Sequence, residues 1–145
     1  MKRGEQSALI EASPEECFAA ITDYETFPSW QEAVESVSVE SRYPDGLGRE
    51  VGFVVDAKVK KVRYRLEYSY DPPVGITWDY LEGDVRDIDG EYRFEDQGDG
   101  TTLAVYSVAL DAGVWIPGPV RKVLEGQVMK RSVDDLKRRV ESLHP

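Results

Sequence analysis

Residues 61–71 read KVRYRLEYSYD, and this stretch decides the fold class. Val62, Tyr64, Leu66, Tyr68 and Tyr70 alternate with Arg63, Arg65, Glu67 and Ser69. A period of two puts the first set on one side of a pleated strand and the second on the other. One dry face and one wet face mark an antiparallel strand with a core on one side only. Asp71-Pro72-Pro73-Val74-Gly75 ends the run, since proline cannot donate to a strand ladder. The alternation resumes in Ile76, Trp78 and Tyr80, and again in Ile88, Tyr92 and Phe94, with Gly90 among them. Asp96-Gln97-Gly98-Asp99-Gly100 reads as a hairpin turn, rich in residues that tolerate positive φ. Residues 101–111 form the last strand. Leu103, Val105 and Ala109 oppose Ala104, Tyr106, Val108 and Leu110 there, so the pattern leaves its inner face open.

Upstream, residues 49–57 form a strand with Val51, Phe53 and Val55 on one face. Residues 34–42 alternate imperfectly through Val34, Val37 and Val39, and Tyr43-Pro44-Asp45-Gly46 is a turn. Residues 5–12 (EQSALIEA) read as a first strand. Ser13-Pro14-Glu15-Glu16 then has the form of a helix start: a serine N-cap, proline at the first position and a glutamate that closes a capping box. Cys17, Phe18, Ala20 and Ile21 follow at helical spacing as far as Thr22-Asp23. A second short helical stretch, Tyr24 to Trp30, carries Tyr24, Phe27 and Trp30.

The chain ends in a long helix, about Pro117 to Leu143. At 100° per residue, Val120, Val123, Leu124 and Val128 fall on one side. Met129, Val133, Leu136, Val140 and Leu143 fall nearly opposite, with Gly126 at the changeover. Three explanations stay open: a kink at Gly126, different packing partners for the two halves, or a first half buried all round.

The order is strand, two short helices, six strands, long helix. Strands in succession without crossover helices imply an antiparallel meander, so the class is α+β with a curved seven-stranded sheet. One helix cannot fill the hollow of such a sheet. The remaining volume is either packed with large side chains or open as a cavity, and the Tyr- and Trp-rich inner face suits both.

At 145 residues, with 41% hydrophobic residues, the chain has the size and core of a single domain spanning 1–145. The formal net charge of −10 repels phosphate backbones, which excludes bulk electrostatic binding of nucleic acid and weakens docking to anionic lipid. Lys58, Lys60, Lys61, Arg63 and Arg65 read as a solvated hairpin. The single cysteine, Cys17, allows neither an internal disulfide nor a thiolate metal cluster. Met1 to Ser13 lacks a signal-peptide apolar run, and no segment has the length of an apolar membrane span. The expected location is the cytoplasm, without integral membrane association.

Several short segments together resemble the START-like, helix-grip superfamily (SRPBCC), which includes Bet v 1 relatives, polyketide cyclases/dehydratases and the coenzyme Q-binding Coq10-like type. Ser13-Pro14-Glu15-Glu16-Cys17-Phe18 with Thr22-Asp23 resembles the first helix of that group and its acidic turn. Tyr24-Glu25-Thr26-Phe27-Pro28-Ser29-Trp30 is similar to the aromatic segment of the Coq10-like branch. Pro73, Ile76, Trp78 and Gly83, then Gly90, Tyr92, Phe94, Gly100 and Thr101, are similar to its central strands and hairpin. The resemblance implies a helix-grip fold around a cavity for a lipid, quinone or polyketide. It does not extend to the plant abscisic-acid receptors, because neither a Ser-Gly-Leu-Pro-Ala nor a His-Arg-Leu gate segment is present.

Candidate chemistry is sparse. The only histidine, His144, sits beside the C-terminus, which leaves no credible histidine base or Ser-His-Asp triad. Cys17, on the inner stripe of its helix, reads as a small buried hydrophobe. Asp84, Asp87 and Asp89 lack EF-hand spacing and read as a solvated loop, and no glycine-rich phosphate loop occurs. No cofactor and no metal are expected.

The leading reading is therefore binding or transport of a hydrophobic small molecule. Its expected contacts are Phe27, Trp30, Phe53, Tyr64, Leu66, Tyr68, Trp78, Tyr80, Tyr92, Val120 and Leu124. A cyclase, aromatase or dehydratase is the alternative. It would act without histidine, using Tyr64, Tyr68, Tyr80 or Tyr92 as hydrogen-bond donors, and Arg49 only if its strand had the opposite register. A third reading is a protein-interaction module with an exposed apolar patch near Met129 to Val140.

Overall fold

The computed structural model describes residues 2–145. Strand β1 (Lys2–Ile10) leads into helix α1 (Pro14–Thr22) and a 3₁₀ segment, Tyr24–Ser29. Six strands follow: β2 (Val34–Arg42), β3 (Gly48–Asp56), β4 (Lys61–Asp71), β5 (Gly75–Gly83), β6 (Asp87–Asp96) and β7 (Thr102–Asp111). The C-terminal helix comprises α2 (Gly118–Glu125), a π-turn (Gly126–Arg131) and α3 (Ser132–Leu143). The sheet order is β1-β7-β6-β5-β4-β3-β2, with every neighbouring pair antiparallel. This is the curved helix-grip sheet with two short helical segments and one long C-terminal helix. β1 lies slightly upstream of the expected 5–12, because its ladder with β7 begins at Lys2–Leu110 and ends at Ile10–Thr102.

The start of α1 forms as its sequence dictates. Ser13 Oγ accepts from the Glu16 amide at 3.2 Å, and Glu16 Oε1 accepts from the Ser13 amide at 2.9 Å. Those bonds hold the Glu16 carboxyl below the usual carboxylate range. On β4 the wet face is an ion-pair surface: Arg65 meets Glu40, Glu82 and Glu50 at 2.7, 2.8 and 3.4 Å. Lys61 meets Glu35 at 2.7 Å, so part of the basic hairpin is neutralised locally. The imperfect alternation of β2 has a cause in bulges between Val34 and Ser36, Val39 and Ser41, and Ser41 and Arg42. β7 turns its even-numbered residues inward: Ala104, Tyr106, Val108 and Leu110 are all buried, which decides the face that periodicity left open.

The two opposed stripes of the long helix are reconciled by the π-turn that begins at Gly126. On a regular α-helix Leu124 and Leu136 would lie about 120° apart. A π-turn winds with i→i+5 bonds and so accommodates one extra residue, taking out roughly 100°. Leu124 and Leu136 thereby share one face, and both are fully buried. Met129, Val133 and Val140 are buried as well, which removes the exposed patch expected between Met129 and Val140. The most exposed large apolar residues lie instead in the loop before α2, where Val114 is 81% and Trp115 is 92% exposed.

Candidate functional site

A cavity of about 70 Å³ separates the concave face of the sheet from the C-terminal helix. Its sheet wall includes Phe53, Tyr64, Leu66, Tyr68, Trp78 and Tyr92, each inward because it falls on the dry phase of its strand. Phe27 closes one side from the 3₁₀ segment. These seven expected residues are brought together. Four others stand off the cavity. Trp30 is half-buried behind Phe27, with ring centroids 5.0 Å apart, and its Nε1 donates to Thr26 Oγ1 at 3.0 Å. Tyr80 is half-buried and directs its hydroxyl to the Val85 carbonyl at 2.6 Å, beyond the register shift between Arg65 and Leu66. Val120 and Leu124 are fully buried, but they precede the π-turn, and the cavity meets the helix at and beyond that turn.

Sequence reasoning missed other wall residues for two different reasons. Ile76 and Ile88 belong to the same alternations as Trp78 and Tyr92, so the signal existed. Tyr106 was hidden by the two-faced pattern of β7. Gln127, Val128 and Ser132 face the cavity only because the π-turn rotates them there. Ile21, Tyr24, Gln31 and Val34 complete the wall, with Gln31 beside the helix at Gln127.

Aromatic rings form much of the lining. Phe53 stacks on Tyr64 with centroids 5.3 Å apart, Tyr68 meets Tyr24 at 4.7 Å and Trp78 at 5.8 Å, and Tyr106 meets Trp78 at 5.7 Å and Tyr92 at 4.7 Å. Gly90 makes this possible, since a Cβ there would lie 2.6 Å from Trp78 Cζ2 and 2.7 Å from the Ser107 carbonyl oxygen. The polar contacts tie sheet to helix. The Tyr92 hydroxyl and Ser132 Oγ are 2.8 Å apart, and the Tyr106 hydroxyl donates to the Val128 carbonyl inside the π-turn. Gln127 Nε2 donates to Gln31 Oε1 at 3.2 Å, while Gln127 Oε1 accepts from the Ala33 amide at 3.2 Å.

Burial governs the electrostatics. It pushes the phenols of Tyr24, Tyr64, Tyr68, Tyr92 and Tyr106 above their usual value, so they are neutral hydrogen-bonding groups at physiological pH. Among the described residues no Asp, Glu, His, Lys or Arg lines the cavity. Arg49 points outward to Glu67 at 3.3 Å. The Cys17 thiol is fully buried and lifted to about 11 by that burial, which leaves it a poor nucleophile. Asp135, 3% exposed, lies three positions beyond Ser132. Its Oδ1 accepts from Arg138, its Oδ2 has no partner among the described residues, and burial raises its carboxyl. Of the three aspartates expected in a loop, only Asp84 lies in the β5–β6 turn, where it accepts from the Arg63 amide at 2.9 Å; Asp87 and Asp89 stand on β6, and Asp89 pairs with Arg3 at 2.8 Å.

The family described as polyketide cyclase / dehydrase and lipid transport matches the chain over residues 1–141. Among solved structures, a START superfamily protein from Mycobacterium smegmatis is similar at 21% identity and a TM-score of 0.83, covering 97% of this chain and 98% of its own. TTHA0849 from Thermus thermophilus is similar at 23% identity and a TM-score of 0.80, over 99% and 100% of the two chains. The Zhui aromatase/cyclase from Streptomyces sp. R1128 is similar at 18% identity and a TM-score of 0.79, over 97% and 93%. At such identities these likenesses establish the fold. No curated protein matches the sequence.

Proposed function

The chain belongs to the polyketide cyclase / dehydrase and lipid transport family, and from that premise we propose that residues 1–145 act as one domain that binds a hydrophobic small molecule between sheet and helix. The observation that carries this reading is the wall itself: aromatic and aliphatic surface interrupted by a few neutral polar groups, the composition of a small-molecule site. Binding is favoured over catalysis by proton transfer. A general acid or base works best with a pKa near the operating pH, and the lining phenols are displaced away from it. The family name joins two activities, polyketide cyclisation or dehydration and lipid transport, and a cavity of this lining is compatible with a ligand of either kind.

The volume adds a requirement. At about 70 Å³ the space holds a few waters, whereas ligand pockets run to roughly 300 Å³ or more. A ligand of lipid or polyketide size enters only if the wall yields. The π-turn departs from the regular i→i+4 ladder and carries Gln127 and Val128, and the 3₁₀ segment with the turn after it carries Tyr24, Phe27 and Gln31, so these are the parts of the wall outside regular α-helix and sheet that could yield.

The test is to purify the protein natively, extract it with organic solvent and identify co-purifying molecules by mass spectrometry. Leu66→Trp, which fills the cavity from β4, serves as the comparison. A hydrophobic compound near one equivalent in the parent, and depleted in a cooperatively folded Leu66→Trp protein, is the expected result. Equal recovery from both proteins, or a parent that is empty and also takes up no added apolar probe, refutes it.

A further inference from the structure

Eight tyrosines occur in the chain, and their hydroxyls divide unevenly. Six have protein partners. Tyr24 and Tyr70 meet at 2.7 Å, and Tyr70 reaches the Gly48 carbonyl at 2.6 Å. Tyr43 donates to the Tyr68 carbonyl and Tyr80 to the Val85 carbonyl, each at 2.6 Å. Tyr92 pairs with Ser132, and Tyr106 with Val128. The remaining two, Tyr64 and Tyr68, have no hydroxyl partner among the described residues, although they are only 7% and 6% exposed. Both line the cavity. Neither oxygen is fully enclosed, since Asp135 Oδ2 is the one fully enclosed side-chain oxygen without a partner among the described residues; both hydroxyls keep accessible surface that a water or a ligand acceptor can meet.

Their rings are also fixed in place. Phe53 stacks on Tyr64, and Tyr24, Tyr70 and Trp78 surround Tyr68. The two stand on the same face of β4 with Leu66 between them, so their backbones are about 13 Å apart. The layout is a donor, an apolar contact and a donor, all supported by neighbours that limit movement.

Resting on the cavity-binding reading above, we propose that Tyr64 and Tyr68 form an acceptor-reading pair. The ligand they select has an apolar body that lies over Leu66 and two separated oxygen acceptors, of carbonyl or quinone type, each receiving a phenol hydrogen bond. A pure hydrocarbon or a singly oxygenated lipid would leave one or both donors desolvated and unpaired, and the site discriminates against it for that reason. Burial keeps both phenols protonated, so the pair donates throughout the physiological pH range.

The experiment compares two probes of one shape by calorimetry, 1,4-naphthoquinone and 1,4-dimethylnaphthalene, in which methyl groups replace the carbonyls. The proteins are the parent, Tyr64→Phe, Tyr68→Phe, the double variant, and Tyr80→Phe as a tyrosine outside the cavity. In the parent the quinone should bind roughly 10- to 100-fold more tightly than the dimethyl compound, the product of two such hydrogen bonds. Each single cavity variant should weaken the quinone roughly 3- to 10-fold, the scale of one net hydrogen bond, and leave the dimethyl compound within about twofold. The double variant should bind both alike, and Tyr80→Phe should behave as the parent. If both probes bind and their ratio is unchanged in the double variant, the pairing is overturned while the cavity reading stands. If neither probe binds the parent, the cavity reading falls and this inference with it.

Discussion

Replacing Tyr106 by phenylalanine removes one oxygen from the middle of the core. That oxygen donates to the Val128 carbonyl, within the stretch where the helix adds a residue to its turn. A net hydrogen bond contributes about 1 kcal/mol, and a buried carbonyl left one partner short adds to the loss, so roughly 2 kcal/mol is expected in all. For a chain of this length that lowers the melting temperature by about 5–8 °C. Tyr64→Phe makes the same chemical change on the neighbouring wall but breaks no protein hydrogen bond, so its melting temperature should match or exceed the parent's. Urea unfolding followed by circular dichroism measures both, with the midpoint shifting at constant slope. Hydrogen exchange should show lost protection in residues 126–131 of Tyr106→Phe and not of Tyr64→Phe. The reasoning is refuted if Tyr106→Phe is as stable as the parent, or if Tyr64→Phe loses as much as Tyr106→Phe does.

Two further outcomes follow from other parts of the structure. Gly90→Ala places a methyl 2.6 Å from Trp78 and 2.7 Å from the Ser107 backbone oxygen, so either the ring moves into the cavity or the β6–β7 ladder opens; a loss of about 2–3 kcal/mol in thermal or urea melts is expected, and an unchanged melting point contradicts it. Burial raises the Asp135 carboxyl, so its protonated form favours the fold fully below about pH 4, and that contribution is lost as pH rises through the folded pKa. Asp135→Asn should therefore be more stable than the parent at pH 7, with the gap closing toward pH 4, and the exposed Arg138 partner contributes little against this. A parent that is the more stable at pH 7 overturns the assignment.

What the sequence determined by itself is what local patterning can carry. The strands around Tyr64, Trp78 and Tyr92 were legible because side chains alternate with a period of two, and only one phase of each could face a core. The N-terminus of α1 was legible because Ser13, Pro14 and Glu16 satisfy its free amides within four residues. The sparse chemistry was legible from composition, with one histidine and one cysteine in the whole chain.

Tertiary structure alone decided the rest. Val120 and Leu124 sat on a good apolar stripe, yet the cavity meets the helix at Gln127, Val128 and Ser132. A helical wheel assumes one angle per residue, and the π-turn changes that angle at Gly126. Tyr80 follows the same alternation as Trp78 and keeps its register, but it is the last residue before the shift at Leu81, and its hydroxyl bonds to the Val85 carbonyl rather than facing the cavity. The same limit applies to the hydroxyls of Tyr64 and Tyr106. Both are inward-facing tyrosines by pattern, and only the approach of a distant helix gives one of them a partner and leaves the other without. Periodicity reports which face a residue occupies; which partner meets it there depends on chain brought close by folding from far away in sequence.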